Sequence, residues 1–193
     1  MLALITGGSG SGKSAYAENL SVACHQSGDA MIYIATMYPF DEESHRRIAR
    51  HRQMRKDKNF DTVECFTHLS SVRLERPTTV LLECMSNLTA NEVFQEEGAG
   101  ERTVEAVMEG VKSLAEQAEH LIIVSNELFS DGIAYDPETD RYLRYLGEIN
   151  RQIGQRADLA VEVVYGIPVY HKLPEDPALR EIMKKTGWGG ADR

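Results

Sequence analysis

The clearest chemical pattern in the sequence is a glycine-rich segment close to its beginning. The stretch GGSGSGKS, residues 7–14, contains G-x-x-x-x-G-K-S, with Gly7, Gly12, Lys13 and Ser14 at the fixed positions. Glycine lets successive backbone N–H groups point at phosphate oxygens, lysine reaches the β- and γ-phosphates, and the serine hydroxyl coordinates Mg²⁺. Because an apolar run precedes the segment and a helical pattern follows it, the segment predicts a phosphate-binding P-loop.

A second feature is a cluster of positive charge at residues 43–58, ESHRRIARHRQMRKDK. It holds seven Lys or Arg and two acidic residues, which gives a net charge of +5; the whole chain carries −9, so the remainder carries −14. A pI near 5.2 argues against a general nucleic-acid-binding protein, which would have a broad basic surface. Any contact with a polyanion should therefore be local to this segment.

Within the segment, Arg47, His51 and Arg55 are spaced four residues apart, so a helix would place them on one face. Neighbouring positive charge disfavours imidazolium, and we expect His51 to be a neutral imidazole, which is a nucleophile. The guanidinium groups could hold phosphate oxygens and stabilise charge developing at phosphorus. The pattern fits a histidine that carries a nucleotide phosphate covalently. It also fits a solvated basic helix with a bystander histidine, and the residues alone leave both interpretations open.

Acidic and amide side chains follow two further apolar runs. Glu83 ends VLLE, where an acid near a P-loop can hold the Mg²⁺ shell or orient an attacking hydroxyl; otherwise it is an exposed acid at a strand end. SNE occupies residues 125–127. Asn126 and Glu127 could position a substrate or cap the next helix, and the sequence favours neither.

These motifs must be positioned by the surrounding secondary structure. Continuous apolar runs that alternate with helical patterns predict an α/β fold with a doubly wound, mostly parallel sheet covered on both faces. Ligands bind beyond the carboxyl ends of such strands, so the four polar clusters at predicted strand ends should meet; they are TGGSGSGKS, TMYP, ECMSN and SNE. The predicted strands are 1–6, 30–36, 61–66, 78–84, 120–127 and one or two within 158–172. The predicted helices are 14–27 with Gly28 as its stop, about 41–56, 91–119 with a break at 96–101, and 141–157 after a loop at 130–140.

Length and composition bound the organisation and the class of protein. With 193 residues, 42% hydrophobic and 26% charged, the chain suits one soluble domain, which we place at 1–172, with a peripheral tail at 173–193. No stretch approaches the roughly 20 apolar residues of a membrane helix, and LALI is too short for a signal peptide. The three cysteines show neither a disulfide framework nor zinc spacing. We expect a cytoplasmic protein with reduced thiols and no nucleic-acid partner.

The order of these motifs resembles the bifunctional adenosylcobinamide kinase / adenosylcobinamide-phosphate guanylyltransferase family of cobalamin biosynthesis. The likeness runs over about residues 1–170. LITGGSGSGKSAYAE resembles the family's first strand and P-loop, YIAT its second strand, and RIARHRQMR its R-I-x-x-H-(R/K)-x-x-R segment. TVE, LLEC with Asn91 following, VSNE and NRQIGQRAD come in the family's order. P-loops are common, whereas the histidine segment together with LLEC and VSNE is much more specific.

The resemblance implies two activities. One phosphorylates the hydroxyl of the aminopropanol arm of adenosylcobinamide with ATP or GTP. The other transfers GMP from GTP to His51, releasing pyrophosphate, and then to adenosylcobinamide phosphate, which gives adenosylcobinamide-GDP. Catalytic roles are expected for His51, Lys13 and Glu83, Mg²⁺ ligation for Ser14 and Glu83, and the family forms a homotrimer. The expected nucleotide contacts are Gly7, Gly8, Ser9, Gly10, Ser11, Gly12, Lys13, Ser14, Thr36, Met37, Tyr38, Arg52, Gln53, Met54, Arg55, Glu64 and Glu83.

Departures from the family pattern and two alternative functions accompany this assignment. After VSNE the family continues with a V-G-x-G-I-V-P run, where this chain has LFSDGIAYDPETD, a loop that could touch the corrinoid. The first alternative is a small-molecule P-loop kinase in which His51 is silent and no covalent nucleotide forms. The second is a regulatory nucleotide-binding module. The presence of Lys13, Ser14, Glu83 and His51 together argues against a pure binder, which needs no nucleophile.

Overall fold

The computed structural model describes residues 1–26, 29–129 and 132–184, without the side chains of Met54 and Lys184; the predicted helix stop at Gly28 lies outside them. Within these residues, seven strands form one sheet. They are β1 (Leu2–Thr6), β2 (Ala30–Ala35), β3 (Asp61–Glu64), β4 (Thr78–Glu83), β5 (His120–Val124), β6 (Leu159–Val164) and β7 (Ile167–Lys172). Their order across the sheet is β3-β2-β4-β5-β1-β6-β7.

The sheet is parallel except at one edge. Neighbouring strands run parallel throughout β3-β2-β4-β5-β1-β6. The edge strand β7 pairs antiparallel with β6 after a tight turn at Tyr165 and Gly166. The predicted α/β fold with a mostly parallel sheet is therefore confirmed.

Six α-helices lie within the described residues. They are α1 (Lys13–Cys24), α2 (Glu42–Met54), α3 (Met85–Phe94), α4 (Thr103–Gln117), α5 (Pro137–Arg156) and α6 (Pro177–Lys184). Among them, none combines the length and the apolar character that crossing a membrane requires.

The central strands are buried on both faces of the sheet. Every residue of β4 and β5 is buried. Successive side chains of a strand point to opposite faces. Leu82 accordingly lies in one buried cluster with Val111 of α4 and Leu146 of α5. Its neighbour Leu81 lies in another cluster with Leu20 of α1. This two-sided burial explains why the strands appear as continuous apolar runs in the sequence.

One predicted helix begins earlier than the sequence indicated. We predicted helical structure from residue 91, whereas α3 starts at Met85, directly after β4. Seven of its ten residues are buried, and they include the polar residues Ser86, Thr89, Asn91 and Glu92. A helix enclosed on most sides lacks the alternation of apolar and polar faces on which the prediction relied.

Helix α5 also begins earlier than predicted, because DPET, residues 136–139, was expected to be part of a loop. The helix starts at Pro137 rather than at residue 141. Asp136 is its N-cap, and the Asp136 carboxylate accepts hydrogen bonds of 3.0 Å from the backbone N–H groups of Glu138 and Thr139. Proline at the first helical position follows the usual preference. Since β5 ends at Val124, Asn126 and Glu127 are neither in that strand nor caps of α5.

The C-terminal segment contributes to the core. Met183 of α6 is buried in the cluster that contains Tyr16 and Cys24 of α1. Residues 185–193 lie outside the described part of the chain. The three cysteines are all buried and free.

A buried ion pair ties the segment after α2 to α1. The Glu18 side chain is fully buried, and Lys58 Nζ lies 2.7 Å from Glu18 Oε2 and 3.3 Å from Asn19 Oδ1. Glu18 Oε1 has no hydrogen-bond partner, so Lys58 supplies the compensating charge. Removing one member of a buried pair leaves an uncompensated charge, which is strongly destabilising.

We therefore expect Lys58→Met to lower the free energy of unfolding by about 2–3 kcal/mol, less than for a fully enclosed pair because Lys58 is partly exposed. The measurement is urea denaturation followed by circular dichroism. The matched control is Lys56→Met, which changes an exposed lysine and should shift the free energy by less than about 0.5 kcal/mol. Equal effects of the two substitutions would contradict the assignment.

Candidate active site

The P-loop forms the turn between β1 and α1. Gly12 is the N-cap of α1 and has φ +95°, a left-handed conformation that favours glycine. A Cβ atom on Gly7 would lie 2.5 Å from the Val163 carbonyl oxygen, so a larger residue does not fit there. The loop is thus shaped by its glycines, and its last residues enter the first turn of a helix, where anions bind.

Lys13 closes this loop from within. Its ammonium group donates a hydrogen bond of 2.9 Å to the Gly8 carbonyl oxygen, and the residue is buried. Burial lowers the pKa of Lys13 from its usual value, and the neighbouring Cys84 and Glu83 oppose this shift. The charge therefore lies in a shielded position, where its attraction to phosphate is weakly screened by water.

The side chains of the predicted site meet at the carboxylate of Glu83. This residue ends β4 and is only 7% exposed. The Ser14 hydroxyl donates to Glu83 Oε1, and the Tyr33 hydroxyl donates to Oε2 at 3.3 Å. His51 Nδ1 lies 3.5 Å from Oε1, without the geometry of a hydrogen bond. Three separate elements therefore converge on one acid.

Tyr33 belongs to the lining of this candidate site, and the sequence analysis missed it because a tyrosine in a buried strand is indistinguishable from a core aromatic. The pairing of Ala35 with Glu83 and of Tyr33 with Leu81 puts Tyr33 beside the end of β4. Burial raises the pKa of Tyr33, and the Glu83 carboxylate raises it further. Tyr33 therefore stays protonated and acts as a hydrogen-bond donor.

The basic face belongs to α2, which begins with a capping box. Ser44 N–H donates to Asp41 Oδ1 at 2.7 Å, and Asp41 N–H donates to Ser44 Oγ at 3.0 Å. Arg47, His51 and Arg55 line one cleft, as their spacing predicted, whereas the exposed His45 lies outside it.

The two arginines also make contacts of their own within the protein. Arg47 pairs with Glu43, and the Arg55 guanidinium carbon lies 3.6 Å from the centre of the Tyr33 ring. His51 also has an acidic neighbour that its spacing did not indicate, because its Nδ1 lies 3.5 Å from Glu83 Oε1. Arg55 is buried, and its Nη1 has no hydrogen-bond partner, so it can still bind an anion.

A cleft of about 550 Å³ joins the P-loop, Glu83 and α2, and its size suits one nucleotide-sized ligand. Most of the residues predicted to contact nucleotide line it. They are Ser9, Gly10, Ser11, Gly12, Lys13, Ser14, Met37, Arg52, Arg55, Glu64 and Glu83.

The remaining predicted contacts lie elsewhere. Thr36 is fully buried; its hydroxyl accepts from Cys84 N–H at 2.7 Å and donates to the Cys84 carbonyl at 2.8 Å. The Tyr38 ring packs on Phe40 and Phe66, with ring centres 4.6 Å and 5.0 Å away. Gly7, Gly8 and the exposed Gln53 are not among the residues that line the cleft. The Met54 side chain is not part of the described structure.

The oxygen atoms near the P-loop fit Mg²⁺. The Ser14 hydroxyl and the Glu83 carboxylate are in contact, and both are ligand types that Mg²⁺ prefers. No cluster of three or more His, Cys, Asp or Glu residues forms a dedicated metal cage in the part of the chain that the structure describes. Mg²⁺ usually binds through one or two protein oxygens together with substrate phosphates, which is what these two residues allow.

The chain is similar to known proteins over most of its length. A sequence profile described as cobinamide kinase / cobinamide phosphate guanyltransferase matches residues 3–170. The bifunctional adenosylcobalamin biosynthesis protein CobU of Escherichia coli (strain K12) is 31% identical over 184 residues, 88% of this chain and 98% of that protein. The bifunctional adenosylcobalamin biosynthesis protein CobP of Pseudomonas aeruginosa is 32% identical over 172 residues, 86% of this chain and 94% of that protein.

Among solved structures, a KaiC-like protein from Pyrococcus horikoshii OT3 matches with a TM-score of 0.50 and 12% identity over 90% of this chain and 79% of that chain. At this identity the likeness concerns the fold alone. The profile match, in contrast, spans the P-loop, the basic helix and Glu83. The chain therefore belongs to the cobinamide kinase / cobinamide phosphate guanyltransferase family.

Proposed function

We propose that the protein catalyses both reactions named by its family. It phosphorylates adenosylcobinamide with ATP or GTP, and it transfers GMP from GTP through a covalent guanylyl-histidine at His51 to adenosylcobinamide phosphate, which gives adenosylcobinamide-GDP. The observation that carries the proposal is the single cleft that contains Lys13, Glu83 and His51. The proposal includes Mg²⁺ as cofactor and a cytoplasmic homotrimer.

In the kinase step, the P-loop and Lys13 bind the nucleotide phosphates, and Glu83 accepts the proton of the attacking alcohol. The alcohol oxygen bonds to the γ-phosphorus while the bond to the bridging oxygen breaks, and its electron pair stays on the diphosphate. Ser14 and Glu83 would hold Mg²⁺, which neutralises charge on the phosphates when bound. The buried Lys13 stabilises the same charge from the other side.

In the guanylyl transfer, His51 Nε2 attacks the α-phosphorus of GTP and the bond to pyrophosphate breaks. Glu83 lies on the Nδ1 side of the ring, where it can orient the imidazole and stabilise its positive charge. The present distance of 3.5 Å is compatible with this role, because catalytic hydrogen bonds are often long before substrate binds. An oxygen of adenosylcobinamide phosphate then attacks the same phosphorus and breaks the P–N bond.

The basic face of α2 supports this assignment. Arg55 offers a buried, unpartnered Nη1 in the cleft, and Arg50 and Arg52 lie in the same lining. These cations can hold phosphate oxygens while His51 attacks. The alternative is a kinase without guanylyltransferase activity, in which this face only holds phosphates. The poor alignment of His51 with Glu83 favours that alternative, which predicts no covalent nucleotide.

The test of the covalent step is incubation with Mg²⁺ and GTP labelled at the α-phosphate, followed by denaturation. We expect wild-type protein to retain label that is stable in base and lost in acid, as a phosphoramidate is. His51→Asn should retain none, because the nucleophile is absent. The matched control is His45→Asn, on the same helix but outside the cleft, which should label like wild type. GTP labelled at the γ-phosphate should leave no label on any of these proteins.

Absence of α-label from a wild-type protein that phosphorylates adenosylcobinamide would establish the kinase alternative. Label that persists in His51→Asn would assign the nucleophile to another residue. Either result contradicts the guanylyl-histidine.

Lys13→Met tests the P-loop in both reactions. We expect kcat/KM to fall by about 10²–10³ in the kinase step and in His51 labelling, because a buried cation that stabilises phosphate charge is lost. Initial rates with each nucleotide measure the effect. Lys56→Met, which changes a lysine outside the cleft, should stay within about twofold of wild type. Unchanged nucleotide affinity and turnover in Lys13→Met would refute the assignment of this loop.

A further inference from the structure

Asn126 lies between the two groups that the kinase step requires. Strand β5 is located between β1 and β4, and Val124 at its end pairs with Ile5 and with Glu83. Asn126 follows two residues later, and it lines the same cleft as the P-loop and Glu83. Neighbouring strands are only about 4.8 Å apart, so an attacking alcohol between these groups lies within reach of Asn126.

The backbone around Asn126 is held firmly. Ser125 N–H donates to the Ile5 carbonyl at 2.9 Å, and Glu127 N–H donates to the Gly7 carbonyl at 3.1 Å. These bonds continue the pairing of β5 with β1 into the P-loop. The Ser125 hydroxyl also donates to Asn150 Oδ1 of α5 at 2.7 Å. Asn126 is therefore attached to the phosphate-binding loop itself.

The amide group of Asn126 has a defined orientation. Its Nδ2 donates a hydrogen bond of 2.7 Å to the hydroxyl of Ser86, and Ser86 Oγ lies 3.0 Å from Cys84 Sγ. Burial raises the pKa of the Cys84 thiol, so the sulfur is neutral and can accept the Ser86 hydroxyl hydrogen. The hydrogen bond to Ser86 uses one Nδ2 hydrogen of Asn126 and leaves the other available to a ligand in the cleft.

The chemistry of the position excludes two other roles. Asp136 caps α5, so Asn126 is not needed as a helix cap. A neutral amide is also a weaker phosphate ligand than the arginines on the α2 side of the cleft. Asn126, after β5, and Asn87, in α3 after β4, instead give the cleft an uncharged wall, whereas Arg55 on the cationic side stacks on Tyr33 of β2.

From this arrangement we infer that Asn126 binds the acceptor alcohol and that Ser86 is the positioning residue that orients the Asn126 amide; the inference rests on the proposed kinase reaction. The free Nδ2 hydrogen is donated to the alcohol oxygen. The hydroxyl proton points to Glu83, which accepts it, and a remaining lone pair forms the bond to the γ-phosphorus. The bond to the diphosphate breaks as described above. The Asn126 amide and the Glu83 carboxylate thereby fix the alcohol oxygen, which has one hydrogen and two lone pairs.

Asn126→Asp and Asn126→Ala test this role with adenosylcobinamide and labelled ATP. Both should lower kcat/KM for the alcohol by about tenfold to a hundredfold, and the isosteric Asp variant should lose at least as much, because a carboxylate cannot donate and repels Glu83. Ser86→Ala should cause a smaller loss, since the amide remains but is no longer oriented. Nucleotide affinity and α-label on His51 should stay within about twofold of wild type.

An acceptor analogue in which hydrogen replaces the hydroxyl isolates the contact. Its inhibition constant should be equal in wild type and Asn126→Ala, whereas the affinity for the true alcohol should fall in the variant. A variant that loses affinity for the alcohol and the analogue equally, or loses nucleotide affinity instead, would overturn the inference. An unchanged kcat/KM for the alcohol in Asn126→Ala would do the same. If the wild-type protein phosphorylates no cobinamide, the proposed kinase function fails together with the inference. If the wild type is active and only the variants give a contradicting result, the inference alone fails.

Discussion

The buried carboxylate of Glu83 is the constraint around which the site is organised. A carboxylate that is only 7% exposed must be compensated by donors and positive charge, or it would be strongly destabilised. Ser14 from the P-loop and Tyr33 from β2 supply hydroxyl donors, and the Lys13 ammonium group lies nearby. The parallel sheet makes this possible, because β4 is flanked by β2 and β5 and the carboxyl ends of all these strands face the same cleft. The compensation of one acid therefore joins the phosphate loop to β2 and β4, with His51 of the basic helix 3.5 Å from the same carboxylate.

The phosphate loop is held from both neighbouring strands. On one side, the Glu127 N–H donates to the Gly7 carbonyl; on the other, the Gly166 N–H in the turn between β6 and β7 donates to the Ser11 carbonyl at 2.8 Å. Together with the left-handed conformation of Gly12, these bonds hold the loop in place around the phosphate site. A loop whose donors are oriented in advance loses little free energy on binding phosphate, which is the usual basis of electrostatic stabilisation in active sites.

The two walls of the cleft have different chemistry, and each suits one of the proposed reactions. The segment 43–58, which includes α2, carries a local charge of +5 in a chain of −9, so it can attract anions locally without making the whole protein basic. The Lys58–Glu18 pair and the stacking of Arg55 on Tyr33 attach this helix to α1 and β2. The uncharged wall carries Asn87 and Asn126, whose neutral amides suit an alcohol. Glu83 lies between the walls and can serve both reactions, which supports a single cleft for two transfers.

The sequence by itself determined the P-loop, the α/β class and the face that carries Arg47, His51 and Arg55, because these depend on local spacing and on the periodicity of burial. It also located Glu83 at the end of a strand. Only the tertiary structure decided which groups contact that acid, since Ser14 and Glu83 are 69 residues apart and Tyr33 and Glu83 are 50 apart. The position of Asn126 likewise depends on β5 lying between β1 and β4, an order that no local pattern encodes. Local spacing indicates which side of an element is buried, whereas the packing of distant elements sets the neighbours of a side chain. For this reason, the role of Tyr33 in the site and the partners of the arginines were found only in the folded chain.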